Sequence, residues 1–120
     1  MGDRANVYIH QDDEPGVYLY THWTGTELPQ TVRASLISPR GQARIDDIAY
    51  LTRIIFEDML DGSFGTETGY GIATYAPDGD DRIVDINVSY KDRQTVATLI
   101  GYPYEWPDMP DDPYDYDEVW

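Results

Sequence analysis

The sequence contains no cysteine, only one lysine (Lys91) and no long hydrophobic run. Without cysteine the chain can form no disulfide, use no thiolate as a nucleophile and bind no zinc through sulfur. No stretch approaches the roughly 20 apolar residues that a membrane-spanning helix needs. The opening residues include no segment of the signal-peptide kind, and Asn6 breaks the myristoylation pattern that Gly2 would begin. We therefore expect a soluble chain without a membrane partner, in the cytoplasm of a cell or, for a viral protein, of its host.

Positive charge is also scarce, because 8 Lys and Arg face 23 Asp and Glu, giving a formal net charge of −15. Affinity for nucleic acid comes largely from basic side chains that neutralise phosphates, so direct nucleic-acid binding is excluded in ordinary salt. An acid-rich, lysine-poor surface is also typical of proteins adapted to high salt, where screening at 1 M shortens the Debye length to about 3 Å. Adaptation to salt is therefore the alternative explanation for every acidic segment.

The charge and the prolines divide the chain into two parts. Its 120 residues suffice for one domain, and 41% hydrophobic residues can supply a core. The last 20 residues hold seven acids, four prolines and no base. Proline prevents a continuous helix or central strand there. We predict one globular domain over residues 1–100 and an extended acidic, Pro- and aromatic-rich tail over residues 101–120.

Hydrophobic periodicity predicts the elements of the body. Two helices are expected, one capped by Thr26 and running through Leu36, the other capped by Asp46 and running to Leu60. Asp78-Gly79 is the expected hairpin turn between the third and fourth strands. The five predicted strands cover residues 6–10, 17–23, 70–75, 82–90 and 95–100. The order ββααβββ indicates an α+β fold, with a mainly antiparallel five-stranded sheet and both helices packed on one face.

Period-two arithmetic assigns the side chains of the first hairpin to two faces. Val7 and Ile9 from one strand should pack on the helices, together with the row that runs from Val17 to Trp23 on the other. The opposite face then carries Asn6, Tyr8, His10, Tyr18, Tyr20 and His22. Such residues combine apolar area with hydrogen-bonding tips, as recognition surfaces do. The alternative is a face of good strand formers covered by the tail.

The case for catalysis depends on His22, which can act as a general base beside Tyr20 or Asp3. No nucleophile motif accompanies this histidine, and the aspartates from Asp78 to Asp85 lack the EF-hand spacing. The Gly-rich segment 62–71 matches no phosphate or dinucleotide loop. We therefore expect no catalytic residue, no metal and no cofactor, and keep a small enzyme centred on His22 as an alternative.

The opening Gly2-Asp3-Arg4-Ala5-Asn6-Val7 and the later Tyr20-Thr21-His22-Trp23 carry a resemblance. The chain resembles a family of small uncharacterised microbial and viral proteins that begin M-G-x-R-A-N and carry a Y-x-H-W segment. The resemblance extends from residue 1 to about Tyr75 and implies no mechanism. It draws attention to neighbouring strand positions that can form one polar cluster: Arg4, Asn6, Tyr20, His22 and Trp23. The alternative role is structural, with Arg4 paired to a carboxylate and Asn6 bonded to a backbone turn.

The tail suggests a second binding element. In polyproline-like geometry its carboxylates lie roughly 6 Å apart. Aromatic rings alternate with these charges, so the tail imitates a single nucleic-acid strand and suits a basic groove. The predicted partner-binding residues of the tail are Glu105, Trp106, Asp108, Asp111, Asp112, Tyr114, Asp115, Tyr116, Asp117 and Trp120. A solvated tail, or a strap docked on the body, is the alternative.

These features favour a non-enzymatic, acidic protein-interaction module. Its expected partner is a basic or nucleic-acid-handling protein, bound by nucleic-acid mimicry in the manner of a virus- or mobile-element-borne inhibitor. Two alternatives stay open beside the small enzyme: a structural accessory of a larger assembly such as a virion, and a homo-oligomer.

Overall fold

Six strands and three α-helices make up the part of the chain that the structure describes. In this computed structural model that part comprises residues 2–77, 82–91, 94–101 and 115–116. A 3₁₀ turn over Gly25–Glu27 leads into the first helix. The strands are β1 (Ala5–His10), β2 (Val17–Thr21), β3 (Tyr70–Ala73), β4 (Ile83–Lys91), β5 (Gln94–Ile100) and β6 (Asp115–Tyr116). The helices are α1 (Leu28–Ile37), α2 (Pro39–Ala43) and α3 (Ile48–Leu60).

The strands form one mixed sheet in the order β3-β2-β1-β4-β5-β6. The α+β class is confirmed, but the sheet is not purely antiparallel, because β1 and β4 run parallel with Asn6 beside Ile83. β3 and β4 are not neighbours in the sheet, because β3 pairs with the outer edge of β2 and β4 with the free side of β1. The two strands are therefore joined by a crossover, the kind of connection that a parallel arrangement needs, and not by a hairpin.

The predicted hairpin between the third and fourth strands is therefore wrong. β3 pairs with β2 and β4 pairs with β1 and β5, so two strands separate them. Beyond the end of β3, the carbonyl of Pro77 accepts a hydrogen bond of 3.2 Å from the side-chain amide of Asn6 in β1. Asp78-Gly79, the predicted turn, lies outside the described residues.

The core lies between the helices and one face of the sheet. Leu28, Val32 and Leu36 line the inner side of α1, as the helical spacing predicts, and each is at most 1% exposed. The inner sheet residues Val7, Ile9, Leu19, Val84 and Ile86 and the helix α3 residues Leu51, Ile55 and Met59 complete the core. Each large side chain fully buried in this way stabilises the fold by roughly 1.5–3 kcal/mol.

The helix ends differ from the predicted caps. Asp47, not Asp46, caps α3 by accepting a hydrogen bond from the amide of Tyr50, whereas Asp46 accepts one from the Thr95 hydroxyl. Either aspartate can cap a helix by residue type. The hydrogen bond from Thr95 of β5 engages Asp46, and Asp47 is the residue that caps α3. Thr26 does not cap α1 either, because its amide and hydroxyl both bind the carboxylate of Asp3.

Trp23 departs from the predicted inward row. β2 ends at Thr21, which is fully buried, and Trp23 lies two residues beyond the end of the strand. Trp23 is 56% exposed. Strand alternation therefore holds for this row only as far as Thr21.

The predicted tail contributes one short element to the described part of the chain. Strand β6 pairs with β5, placing Asp115 opposite Ile100 and Tyr116 opposite Leu99. Apart from Gly101, the remaining tail residues lie outside that part, so the division at residue 100 stays a prediction. None of the described helices is long and apolar enough to cross a membrane.

Candidate functional site

The sheet face turned away from the helices, which we call the polar face, brings the predicted polar residues together. The strand register places Asn6 opposite Tyr20 and Tyr8 opposite Tyr18. On the other side of β1, Tyr8 lies beside Asp85 and His10 beside Asn87. The side chains of this face form two clusters, one at each end of β1. The Arg4 end comprises Arg4, Tyr20, His22 and Trp23, and the turn end comprises Tyr8, His10 and Tyr18.

The Arg4 end is organised around the imidazole of His22. Its Nδ1 atom lies 2.7 Å from the hydroxyl of Tyr20 and accepts a longer, 3.4 Å hydrogen bond from Nε of Arg4. Because a guanidinium can only donate, Nδ1 must present its lone pair to Arg4. The Trp23 indole completes the group in a T-shaped contact, with the ring centroids 4.4 Å apart and the planes at 73°. A cation, an imidazole and an exposed indole therefore adjoin one another at the surface.

A partly buried ion pair holds this end in place. Nη1 of Arg82 donates to a carboxylate oxygen of Asp3 over 2.7 Å, and the Arg82 side chain is only 14% exposed. Burial works against ionisation of Asp3, but the Thr26 amide and the Arg82 guanidinium outweigh it, so the pKa of Asp3 lies below its ordinary value. Arg82 also donates to the Arg4 carbonyl, which fixes the backbone that presents the Arg4 side chain.

Asn6 lies in the same area but is 2% exposed. Its amide group donates to the carbonyl of Pro77, holding the start of the crossover against β1. This is the structural role expected of an Asn bonded to a backbone turn. Asn6 is therefore a buried structural residue of this end, whereas Arg4 and Trp23 are exposed at the surface.

The turn end is a stack of three rings. Tyr8 stacks on Tyr18 with centroids 4.5 Å apart and on His10 with centroids 4.8 Å apart. The Tyr8 hydroxyl accepts a 3.0 Å hydrogen bond from the amide of Gly16, which ties the stack to the β1–β2 turn. Strand spacing indicates that the rings share a face, but nothing local in the sequence predicts the stacking.

His10 is bonded through both ring nitrogens, and sequence reasoning missed this arrangement. Nε2 lies 2.8 Å from a carboxylate oxygen of Asp85, and Nδ1 lies 2.8 Å from the carbonyl of Asp12. Partial burial disfavours the imidazolium, but the bonds to Asp85 and Asp12 outweigh it, so the pKa of His10 is raised above its ordinary value. Both partners accept, so the doubly protonated ring satisfies every bond.

A cavity of about 350 Å³ lies away from this face, between α1 and the C-terminal end of α3. The hydroxyl of Ser35 donates to the carboxylate of Asp58 over 2.6 Å in its wall, and Arg40 pairs with the same carboxylate. His22 does not line it. Within the described ranges, no three His, Asp or Glu side chains come together as a metal site would require.

The predicted tail residues cannot be placed against these clusters. Only Asp115 and Tyr116 fall in a described element, strand β6, and the others lie outside the described ranges. Of the predicted set, the structure brings together Arg4, Tyr20, His22 and Trp23, with Asn6 buried beside them.

No family model, no curated protein and no solved structure matches this chain. What the site can do therefore follows from its own geometry. The Arg4 end presents one cation, Arg4, and one aromatic ring, Trp23, on a backbone that the bonds of Arg82 hold in place. Such a surface suits contact with another macromolecule. The turn end bonds its own strands together.

Proposed function

We propose that this chain is a non-enzymatic, acidic protein-interaction module that binds a basic partner. The distribution of charge is the observation that carries the proposal. Residues 28–60, which contain all three helices, hold four acids and four arginines, so the whole excess of 15 negative charges belongs to the rest of the chain. Long-range attraction to a basic surface follows from a charge separated in this way.

The arginines of the helical layer are largely engaged within it. Arg40 pairs with Glu57 and Asp58, and Arg53 pairs with Glu57 at 2.5 Å. Arg44 and Arg53 also lie over the ring of Tyr50, at 5.3 and 5.7 Å from its centroid. The helices therefore add no net charge that would oppose a cationic partner.

The Arg4 end supports a contact role over a catalytic one. Nδ1 of His22 is engaged by Tyr20 and Arg4, and the cavity of the helical layer lies elsewhere. The exposed indole of Trp23 offers a flat surface on which an arginine of the partner can stack. Aromatic residues of this kind are common binding hot spots.

The tail extends the proposal to a class of partner. Its alternating carboxylates and rings match the charge and stacking pattern of a single nucleic-acid strand, which favours a nucleic-acid-handling protein as the target. An inhibitor carried by a virus or mobile element would use such a tail to fill the groove of a host protein. This step is supported by the sequence of residues 101–120 alone.

The test is capture of partners by the full chain, at matched salt, with two charge-matched variants. In the tail variant, four tail aspartates become asparagine: Asp108, Asp111, Asp112 and Asp117. In the control, four exposed acids of the body are neutralised: Asp13→Asn, Glu14→Gln, Asp61→Asn and Glu67→Gln. We expect the tail variant to lose the partner and the control to keep it, because mimicry depends on the tail pattern and not on total charge.

Competition separates mimicry from simple charge attraction. Single-stranded DNA added to the captured complex should release the partner, because both occupy one groove. Equal capture by both variants would contradict the role of the tail. Release by salt alone, without an effect of DNA, would contradict mimicry and leave only a charge interaction.

A further inference from the structure

The two edges of the sheet differ in whether a further strand pairs with them. At one edge β6 pairs with the outer side of β5. At the other edge β3 pairs with β2, and in the described part of the chain no strand lies on its outer side. An exposed strand edge presents backbone donors and acceptors that another chain can use.

The register shows which backbone groups face outward. The amide of His22 donates to the carbonyl of Gly69 over 2.8 Å, and this pair continues the β2–β3 register. Hydrogen-bonded pairs alternate along an antiparallel ladder, so Gly71 and Ala73 bond to β2. The N–H and C=O groups of Tyr70 and Ile72 must then point away from β2, toward the open edge.

Exposed apolar side chains lie on this edge strand and next to it in the sequence. Ile72 of β3 is exposed, as are Tyr75, two residues beyond the end of β3, and Trp23, two residues beyond the end of β2. Ile72 is 60% exposed although its neighbour across the ladder, Leu19, is fully buried. The indole of Trp23 lies so close to Gly69 that a Cβ there would be 2.6 Å from its Nε1.

The edge also lacks the features that usually prevent pairing. Residues 69–75, GYGIATY, contain no lysine, no other charge and no proline. Proteins commonly protect an edge strand with such residues. Gly71 leaves open space on the polar-face side, where an added Cβ would meet nothing within 4 Å.

We propose that β3 is a strand-addition site for an extended segment in which apolar and basic residues alternate. The proposal rests on the proposed function and names the part of the partner that would be recognised. The backbone of the segment would pair with Tyr70 and Ile72, its apolar side chains would cover Ile72, and its basic side chains would pass over Gly71. A second copy of this chain is a poorer occupant, because two chains of −15 repel each other.

A fluorescent peptide, Lys-Val repeated four times, is the probe, and anisotropy measures its binding to the full chain. The decisive variant is Ile72→Pro, which removes the outward N–H while leaving the groups that bond to β2. Ile72→Val is its matched control. We expect about a tenfold loss of affinity with proline and less than about a twofold change with valine, since strand addition depends on main-chain hydrogen bonds.

Amide hydrogen exchange on the unaltered protein tests the same site without depending on the folding of the proline variant. In the free protein the amides of Tyr70 and Ile72 should exchange with solvent faster than those of Gly71 and Ala73, which bond to β2. Adding the peptide should slow exchange at Tyr70 and Ile72. A peptide with glutamate in place of lysine should give neither binding nor protection.

Each contrary outcome is distinct. Peptide binding that leaves the Tyr70 and Ile72 amides unprotected would overturn the β3 site while leaving the acidic module intact. Absence of peptide binding alongside capture of a basic partner would do the same. Self-association that Ile72→Pro abolishes would replace the basic segment by a second copy. Failure of the proposed function itself appears only in the capture experiment with the tail and body variants.

Discussion

The two ends of the polar face each hold a histidine, but the groups around the two rings are of opposite kinds. At the turn end both nitrogens of His10 meet acceptors, the Asp85 carboxylate and the Asp12 carbonyl. At the Arg4 end Nδ1 of His22 accepts from the Arg4 guanidinium. One residue type on one face therefore meets two kinds of partner: acceptors at both nitrogens of His10 and a guanidinium donor at Nδ1 of His22.

The ends also differ in what they leave accessible. His10 has a side chain only 15% exposed, and its bonds join β1, the following turn and β4. The Arg4 end leaves Arg4 and Trp23 exposed beside His22. Changes at the turn end should therefore alter stability, whereas changes to the exposed residues of the Arg4 end should alter binding.

The largest effect is expected from Gly16→Ala at the turn end. A Cβ at this position would lie 1.9 Å from the Ile9 carbonyl oxygen, so the backbone must move. We expect the free energy of unfolding to fall by about 3 kcal/mol, the upper range for overpacking. Chemical denaturation monitored by circular dichroism measures this. A loss below about 1 kcal/mol would show that the turn is loosely attached.

Next comes Asp3→Ala at the Arg4 end. It leaves the largely buried Arg82 without its carboxylate and removes the acceptor for Thr26. We expect a loss of about 2 kcal/mol in the free energy of unfolding, because the Arg82 charge loses the carboxylate that compensates it. Asp13→Ala, which removes an exposed acid, is the matched control and should change little. Equal effects of the two variants would mean that only net charge matters.

A smaller and pH-dependent effect is expected from His10→Gln. The folded-state pKa of His10 is raised, so its contribution is fully present below the unfolded pKa and is lost as the pH rises through the folded pKa. We expect a loss of about 1 kcal/mol near pH 5.5 and a smaller loss near pH 8.5. Denaturation at the two pH values measures the difference. The opposite order would contradict a cationic His10 in the folded protein.

The smallest effect is expected from Gly71→Ala on β3. An added methyl group meets no atom within 4 Å, and the glycine bond to β2 is kept. The free energy of unfolding should change by no more than about 0.5 kcal/mol. The same denaturation assay checks this, and a larger loss would show that the polar face is filled at this point.

The sequence predicts features that depend on local spacing. The buried stripe of Leu28, Val32 and Leu36 follows from helical periodicity, and the sharing of one face by Tyr8 and Tyr18 follows from strand alternation. Both are confirmed because each depends only on residues close together in the chain.

The errors come from contacts between distant segments. Alternation does not record which strands are neighbours, so the parallel β1–β4 pair was not predictable. The bonds of His10 to Asp85 and of Asp46 to Thr95 depend on that pairing or on helix placement. The role of Asp3 was missed for the same reason, since its partner Arg82 precedes β4.

The parallel pairing of β1 with β4 has a consequence for the order of folding. The β1–β2 hairpin closes through a short turn, but the other side of β1 must wait until β4 has been made. Closing so long a loop is entropically costly, and contacts of this range slow folding. On the ribosome, one side of β1 should therefore stay unpaired through synthesis of the three helices and of β3, and it should gain its partner only after β4 emerges.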